Sequence, residues 1–390
     1  MNEIVEELPN LMVFDIDNTK FDLIGVLERY ESVQVTFNSD SYGDMTVTAP
    51  VTDINLELLQ EGNVVYFSER RAAIITQVRR ERNKDNVLMI EAKGYSIVFL
   101  LSWRCVKDAI QLEGLTVFNA ACQIYWNNFP QTGNRRMPWF DHSVYSQVSA
   151  ATDRAKIDTV SDVIEVTDVY EALSEFATTY DLNVELRMYP RESLFRFYFG
   201  SGVDRTLGNA LGTAPVVLSA DTQDLLESVY EYSNFDYVNY AYIKGEENDD
   251  GNIFTDLGDN AAAGWERREL YVDASGVSST TDGDDGDPHT VDEDEYILML
   301  KEEGAAQIAE RNAVETYEAT LNQVGDHRYK LDQDFYLGDK VTIVDTDLGV
   351  QLDARLTSVD YVYGKNKNEK VLHFGYDNMK RLGDVFKRRW

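Results

Sequence analysis

Val33, Val35 and Phe37 alternate with Gln34, Thr36 and Asn38. After a turn at Ser41-Tyr42-Gly43-Asp44 the alternation resumes, with Met45, Val47 and Ala49 set against Thr46 and Thr48. A period of two marks a strand with one buried face. Further apolar runs follow at short spacing, at 64–67, 73–79 and 87–92. Short strands with turn signals and no helix between them predict an antiparallel barrel or sandwich. The period then changes. Residues 113–127 read as a helix. A second helix starts at Asp168, with Glu171 three residues on as a capping box and an apolar face of Val169, Ala172, Leu173, Phe176 and Tyr180. Leu182, Val184, Leu186 and Met188 then alternate, Tyr189-Pro190-Arg191-Glu192 turns, and Phe195, Phe197 and Phe199 alternate in reply. Strands return at 216–218, 226–232 and 236–244, and a helix at 296–310 leads into a strand at 314–321.

One stretch of this pattern occurs twice. Gly62-Asn63-Val64-Val65, Ala73-Ile74-Ile75-Thr76-Gln77-Val78, Asn83-Lys84, Val87-Leu88 and Gly94-Tyr95 form the first copy. Gly338-Asp339-Lys340-Val341, Ala354-Arg355-Leu356-Thr357-Ser358-Val359, Asn366-Lys367, Val371-Leu372 and Gly375-Tyr376 form the second. The order is kept and the gaps differ by a few residues, as expected of strands joined by loops of adjustable length. Solenoid units are shorter and adjacent, so this is a duplicated β module. Three such chains about an axis would present six similar modules, which matches a three-fold object to a six-fold one. The fold class expected is α+β, mainly β. Two homologous antiparallel β-barrels would occupy 1–105 and 215–245 plus 313–376. Two inserted α+β domains would occupy 106–214 and 246–312, with a basic tail at 377–390.

Composition sharpens the picture. A chain of 390 residues with 43% hydrophobic and 12% aromatic content is globular and long enough for two to four domains. Two cysteines, Cys105 and Cys122, build no disulfide framework; Cys122 shares an apolar helical face with Leu115, Phe118 and Tyr125 and reads as a buried thiol. Residues 1–7 are acidic with no basic flank, unlike a signal peptide, and the longest apolar run, 97–101, is too short to span a bilayer. A soluble protein made in a reducing cytoplasm, without stable membrane insertion, is expected. The net charge of −33 argues against a phosphate-gripping groove. It leaves two readings open: plain solubility, or the lining of a passage through which another polyanion slides. Residues 273–295 are rich in Asp, Gly, Ser and Thr, hold no Lys or Arg, and read as a mobile surface loop without apolar anchors.

Candidate chemistry is sparse. Val13-Phe14-Asp15-Ile16-Asp17-Asn18-Thr19 resembles the nucleophile motif of haloacid-dehalogenase-type phosphatases, in which Asp15 would attack phosphorus and Asp17 shuttle the proton beside Mg²⁺. That chemistry needs alternating strands and helices, and strand patterns follow Lys20 instead. Asp282 to Asp287 resembles a calcium loop, but Asp285-Gly286 breaks its register. His142, His289, His327 and His373 include no pair at ligand spacing. His373 sits opposite in phase to Leu372 and Phe374, as a wall residue of its strand would. No catalytic, cofactor or metal residue is expected. The concentrated basic stretch, Arg70, Arg71, Arg79, Arg80 and Arg82 with Lys84, lies along the first-copy hairpin. It is a candidate docking edge for an acidic partner or another copy of the chain, or equally a solvated strand face.

Several segments together carry a resemblance: Gly202-Val203-Asp204-Arg205-Thr206, the strand at 237–245, the run at 267–273, Tyr336-Leu337-Gly338-Asp339-Lys340-Val341-Thr342, the stretch at 348–357, and Phe374-Gly375. In these the chain resembles the siphophage baseplate hub or tail-tip family, the hub domain of tail-associated lysins, which is similar to the contractile-tail hub. The resemblance implies two barrels with two inserted domains and a homotrimer whose six barrels extend the hexameric tail tube. It implies partners in the same tail: a ring of distal tail protein, the end of the tape-measure protein and receptor-binding proteins. DNA would be met only as passing genome. The location implied is the virion tail tip, after synthesis in the host cytoplasm. The family has no catalytic positions to transfer. With little sequence after the second copy, no lysozyme or peptidase domain is expected. A trimeric receptor-binding adhesin is the competing reading, but it calls for a long coiled-coil or β-helical stalk, and no sustained heptads occur.

Overall fold

The computed structural model describes residues 9–17, 20–82, 86–148, 152–165, 167–248, 251–282, 288–311, 313–322, 328–365 and 367–375. The first stretch contains β1 (Leu11–Ile16), β2 (Phe21–Leu27), β3 (Ser32–Asn38), β4 (Asp44–Pro50), α1 (Asp53–Leu58), β5 (Val64–Ser68), β6 (Arg71–Arg82) and β7 (Leu88–Ser96). Next come β8 (Ile110–Thr116), α2 (Val117–Asn128), β9 (Phe140–Tyr145), β10 (Thr159–Ile164), α3 (Val169–Tyr180), β11 (Asn183–Tyr189) and β12 (Leu194–Gly200). They are followed by β13 (Asp204–Arg205), β14 (Val217–Ser219), β15 (Leu225–Ser233), β16 (Tyr240–Asn248), β17 (Gly251–Gly258), β18 (Glu269–Asp273), β19 (Thr280–Asp282) and β20 (Pro288–Thr290). The last are α4 (Glu293–Ala309), β21 (Val314–Leu321), β22 (Lys340–Asp345), β23 (Val350–Gly364) and β24 (Lys367–Gly375). The chain forms two compact units. One holds the described residues up to Tyr230 and from Thr316 onward; the other holds Glu231–Glu315.

In the first unit one 14-stranded sheet runs β15-β21-β24-β23-β3-β4-β7-β6-β5-β1-β2, with β22 also on β23, and β13 and β14 on β22. The alternating residues predicted for β3 and β4 face inward: Val33, Val35, Phe37, Met45, Val47 and Ala49 are all buried. They share a single core with Tyr317, Ile343, Leu356, Val359, Leu372 and Phe374 of the other copy. This corrects the expectation of two separate barrels. Among the described residues the ladder closes into no barrel, and the copies are joined where Ser32–Asn38 pairs antiparallel with residues 358–364 of β23.

Within this sheet the two copies have the same connectivity. β5, β6 and β7 pair in order, and so do β22, β23 and β24. Outward from the long strand, β6-β7-β4-β3 corresponds to β23-β24-β21-β15. The second unit is therefore an insertion between β15 and β21, where the first copy has only the short turn after β3. The detail matches too. Gly62 N–H donates to Ile75 C=O at 2.8 Å and Ile75 N–H to Asn63 C=O at 2.9 Å; Gly338 N–H donates to Leu356 C=O at 2.7 Å and Leu356 N–H to Asp339 C=O at 2.9 Å. Both glycines take left-handed φ, +91° and +88°, which side chains disfavour. A β-bulge falls between Ile75 and Gln77 against β7, and between Leu356 and Ser358 against β24.

The returning strand is aligned differently from the sequence match. Gly94 lies opposite Ile75, whereas Phe374 lies opposite Leu356, so Phe374 rather than Gly375 is the counterpart of Gly94. Likewise Leu372 corresponds to Ala92, not Leu88. The hairpins explain the slip: one closes at Arg82 and Leu88, the other at Gly364 and Lys367, so letters matched near the tips drift. Asn83, Lys84, Asn366 and Tyr376 lie outside the described residues.

Asp345 ties three second-copy strands together. Its carboxylate accepts from Ser228 Oγ on β15 at 2.6 Å, Tyr317 Oη on β21 at 2.9 Å and the Leu348 N–H at 3.1 Å. Burial pushes its pKa up, but these donors outweigh that and hold it below the ordinary carboxylate value. A depressed native pKa gives stability that is present above the unfolded value, near ~3.9, and lost as pH falls through the native one. The urea midpoint should therefore fall as the pH drops below about 5, and Asp345→Asn should flatten part of that slope.

The first insert packs on the opposite face of the first copy. Phe14, Phe21, Val64, Ala72 and Ile74 share a core with α2, α3 and the β11-β12-β9 sheet, in which Phe195, Phe197 and Phe199 are buried. The helix expected from 113 begins at Val117, because residues 110–116 pair with β10 and Thr116 caps the helix through Asn119 N–H. Cys122 is one of the buried residues of this helix, and burial pushes its thiol up to about 12. Asp168 caps α3 as read. Glu171, however, accepts from Thr167 Oγ1 and does not close the capping box.

In the second unit, β17-β16-β18 form a three-stranded sheet with α4 on one face. Tyr240–Asn248 pairs here, so the last residues assigned by sequence to the second barrel belong to this insert instead. The acidic stretch is anchored after all. Ala274, Val277 and Val291 join the small core, and Tyr296 Oη donates to Val277 C=O while accepting from Glu246 N–H. Residues 283–287 lie outside the described residues. Replacing only 280–290 with a Gly/Ser linker should change stability by about 1 kcal/mol or less. Replacing all of 273–295 should remove the second unit's thermal transition, read by scanning calorimetry.

Candidate subunit interface and the arginine junction

The basic stretch divides at the point where β6 leaves the shelter of β5. Arg71 is 2% exposed. It pairs with Asp332 at 3.0 Å and Glu185 at 3.7 Å and lies over the Phe37 ring. Arg70 lies 3.6 Å from Glu185, donates to Gln147 Oε1 and stacks on Tyr336 at 4.0 Å. Arg187 pairs with Glu185 at 2.7 Å and stacks on Tyr198. Tyr361 Oη reaches Asp332 at 3.3 Å. One carboxylate thus serves three guanidinium groups, and the network ties the first copy to the first insert and to β23. Burial drags Arg71 down, but Asp332, Tyr361 and Glu185 outweigh it and leave its pKa raised. Burial lowers Arg70. Two of the five candidate interface arginines are therefore internal and unavailable to a partner. The alternation Arg70-Arg71 before Ala72-Ala73-Ile74-Ile75 put them next to a buried run, and that was the available signal.

Arg79, Arg80 and Arg82 are exposed. Arg79 pairs with Glu81 at 2.6 Å, and Arg82 bonds to Asn86. Here β6 has β7 on one side and no strand on the other among the described residues.

The segments singled out at Gly202 and Tyr336 meet in space. Asp204 and Arg205 pair in parallel with Lys340 and Val341. Asp339, 1% exposed, accepts from Val203 N–H at 2.8 Å, Arg205 Nε at 2.7 Å and Tyr336 N–H at 3.1 Å. Burial still leaves its carboxyl raised. Arg355 bridges the same corner, donating to Gly338 C=O, Leu182 C=O and Asn183 Oδ1.

The phosphatase alternative does not survive this geometry. β1 is antiparallel to both β2 and β5, and Asp15 sits exposed opposite Asp22. Asp17 accepts the Lys20 N–H in the hairpin turn. An antiparallel hairpin places neither carboxylate at the end of a parallel sheet. His373 lies between Glu318 at 3.3 Å and Asp360 at 2.9 Å on the outer face of the sheet. The His289 side chain and His327 lie outside the described residues.

The described residues thus define a mainly β protein with a duplicated three-strand unit and interleaved α+β inserts. A family model described as Siphovirus ReqiPepy6 Gp37-like protein matches residues 10–376. The chain belongs to that family of phage tail structural proteins. Solved structures share the fold across nearly the whole length. The 43 kDa tail protein of prophage MuSo2 from Shewanella oneidensis has 11% identity and a TM-score of 0.55, covering 95% of this chain and 99% of that one. The tail protein from Neisseria meningitidis MC58 has 12% identity and 0.53, covering 95% and 97%. Prophage tail protein gp18 from Listeria monocytogenes EGD-e has 13% identity and 0.51, covering 97% and 98%. No curated protein sequence matches the chain.

Proposed function

We propose that the chain is the structural hub of the tail tip, a homotrimer in which the two copies of the β module in each chain present six similar modules to the six-fold tail tube. The observation that carries this is the repeated three-strand unit, with its bulge and its glycine turn in the same places. A structure that is two-fold within the chain and three-fold between chains offers a six-fold neighbour near-equivalent surfaces without a change of sequence. On this reading the hub joins a ring of distal tail protein to receptor-binding proteins, meets the end of the tape-measure protein, and lets the genome pass. The wall of the passage is then acidic or small polar, because cations would hold DNA by counterion release. Arg70 and Arg71 are already engaged within the chain, which is consistent with such a wall. Light scattering tests the assembly: the reading requires a particle of three times the 44.5 kDa chain mass, alone or with its tail neighbours. A dimer or tetramer within the tail contradicts it.

A further inference from the structure

The three-stranded sheet of the second unit is covered on one face. Ala241, Ile243, Ile253, Leu257, Leu270 and Val272 share a core with Tyr296 and Leu300 of α4. Their neighbours turn to the other face. In register across β17-β16-β18, that outer face reads Gly258-Tyr240-Glu269, Asp256-Tyr242-Tyr271 and Phe254-Lys244-Asp273. Three of its rings are exposed: Tyr242 43%, Phe254 63% and Tyr271 60%. Neighbouring exposed rings of this kind mark a contact surface. An ordinary protein interface is poor in Asp, Glu and Lys at its centre, whereas here every row sets a ring beside a carboxylate. That mixture suits a guanidinium or ammonium ion, which a ring face attracts and a carboxylate neutralises. The face already holds one. Arg267 lies 3.6 Å over the Tyr240 ring, donates to Glu269 Oε1 at 2.6 Å and to Tyr242 Oη at 3.3 Å.

We infer that residues 380–390 of the same chain bind this outer face, their cations against Asp256, Glu269 and Asp273, and Phe386 and Trp390 among the exposed rings. Residues 376–390 lie outside the described residues. Charge selects this segment. Lys380, Arg381, Lys387, Arg388 and Arg389 stand against a single Asp384, in a chain of net charge −33. Residues 231–315 hold 23 acidic and five basic side chains, a net of −18, and attract it. Its rings match those of the face. Its reach is sufficient. Gly375 pairs opposite Thr316. Arg311, five residues before Thr316, accepts at its carbonyl from Val238 N–H at 3.1 Å, and Tyr240 is two residues on. Counted along this path, Gly375 is within about 35 Å of the Tyr240 row, and residues 376–390 span about 50 Å when extended. Tethering favours the chain's own segment over another copy's, because it raises the effective concentration.

Trypsin tests the contact in the whole chain, because cleavage follows the undocked fraction. At low salt, cleavage at Lys380 and Arg381, read by mass spectrometry, should run about 10-fold slower in the wild type than in Phe254→Ser with Tyr271→Ser. At about 1 M salt the two rates should converge. Circular dichroism and melting check that the variant is folded. A second readout leaves the face untouched. A labelled peptide with the sequence of residues 377–390 should bind the variant Lys387→Glu with Arg388→Glu and Arg389→Glu about 10-fold tighter than the wild type, whose own segment competes. Equal cleavage of the wild type and the face variant at low salt, or a peptide that binds neither protein, would overturn the contact. Protection that fades on dilution would give the face to another copy's segment and overturn the same-chain assignment.

Discussion

Glu185→Ala should cost about 3–5 kcal/mol of stability in the first unit, the largest effect expected of any single charge in this chain. The carboxylate is 12% exposed, and the guanidinium groups of Arg70, Arg71 and Arg187 around it are 18%, 3% and 7% exposed. Removing it strands three buried cations, with Asp332 alone remaining near Arg71. Charges taken from water and left unpaired cost far more than a surface pair returns. The surface comparison is Lys367 with Glu369, whose removal should cost about 0–1 kcal/mol. Urea unfolding monitored by tryptophan fluorescence reads both. A shift of the Glu185→Ala midpoint no larger than that of Glu369→Ala would show that the arginine junction is not structural.

Gly202→Ala should destabilise by about 3 kcal/mol or more, through backbone crowding rather than lost contacts. A Cβ at Gly202 would lie 1.8 Å from Gly338 C=O, and Gly338 is itself held in a left-handed turn against Asn183. Both sides of the approach are main chain, so neither can swing aside. Asp339 and Arg205 seal the corner, so a shift there also loosens a buried ion pair at 2.7 Å. Gly208→Ala, six residues on in open space, should change stability by about 0.5 kcal/mol or less. Equal melting temperatures for the two variants would contradict the close approach.

The sequence was most readable where burial is periodic. The alternation at Val33 to Ala49, the Phe195-Phe197-Phe199 series and the Asp168 cap each specified an element, because one face or one end of each had a single physical solution. The duplication was legible because Gly62 and Gly338 need left-handed φ and their flanking strands need the same bulge. The joining of the two copies was not, because β3 and β23 lie over 300 residues apart and pairing partners leave no local mark. The same limit hid the arginine junction: Glu185 and Asp332 look like any of the chain's acidic residues until the fold brings them to Arg71. The acidic stretch misled in the opposite way. Its composition masked Ala274, Val277 and Val291, three small anchors that suffice for a small core.

The most direct test of the duplicated-hub account is a cryo-EM reconstruction of the oligomer in its tail. The account predicts three copies around one axis, with the β5–β6–β7 and β22–β23–β24 units alternating as six near-equivalent positions facing the tube. A ring in which only one of the two units lines the axis, or one with two or four copies, would contradict it.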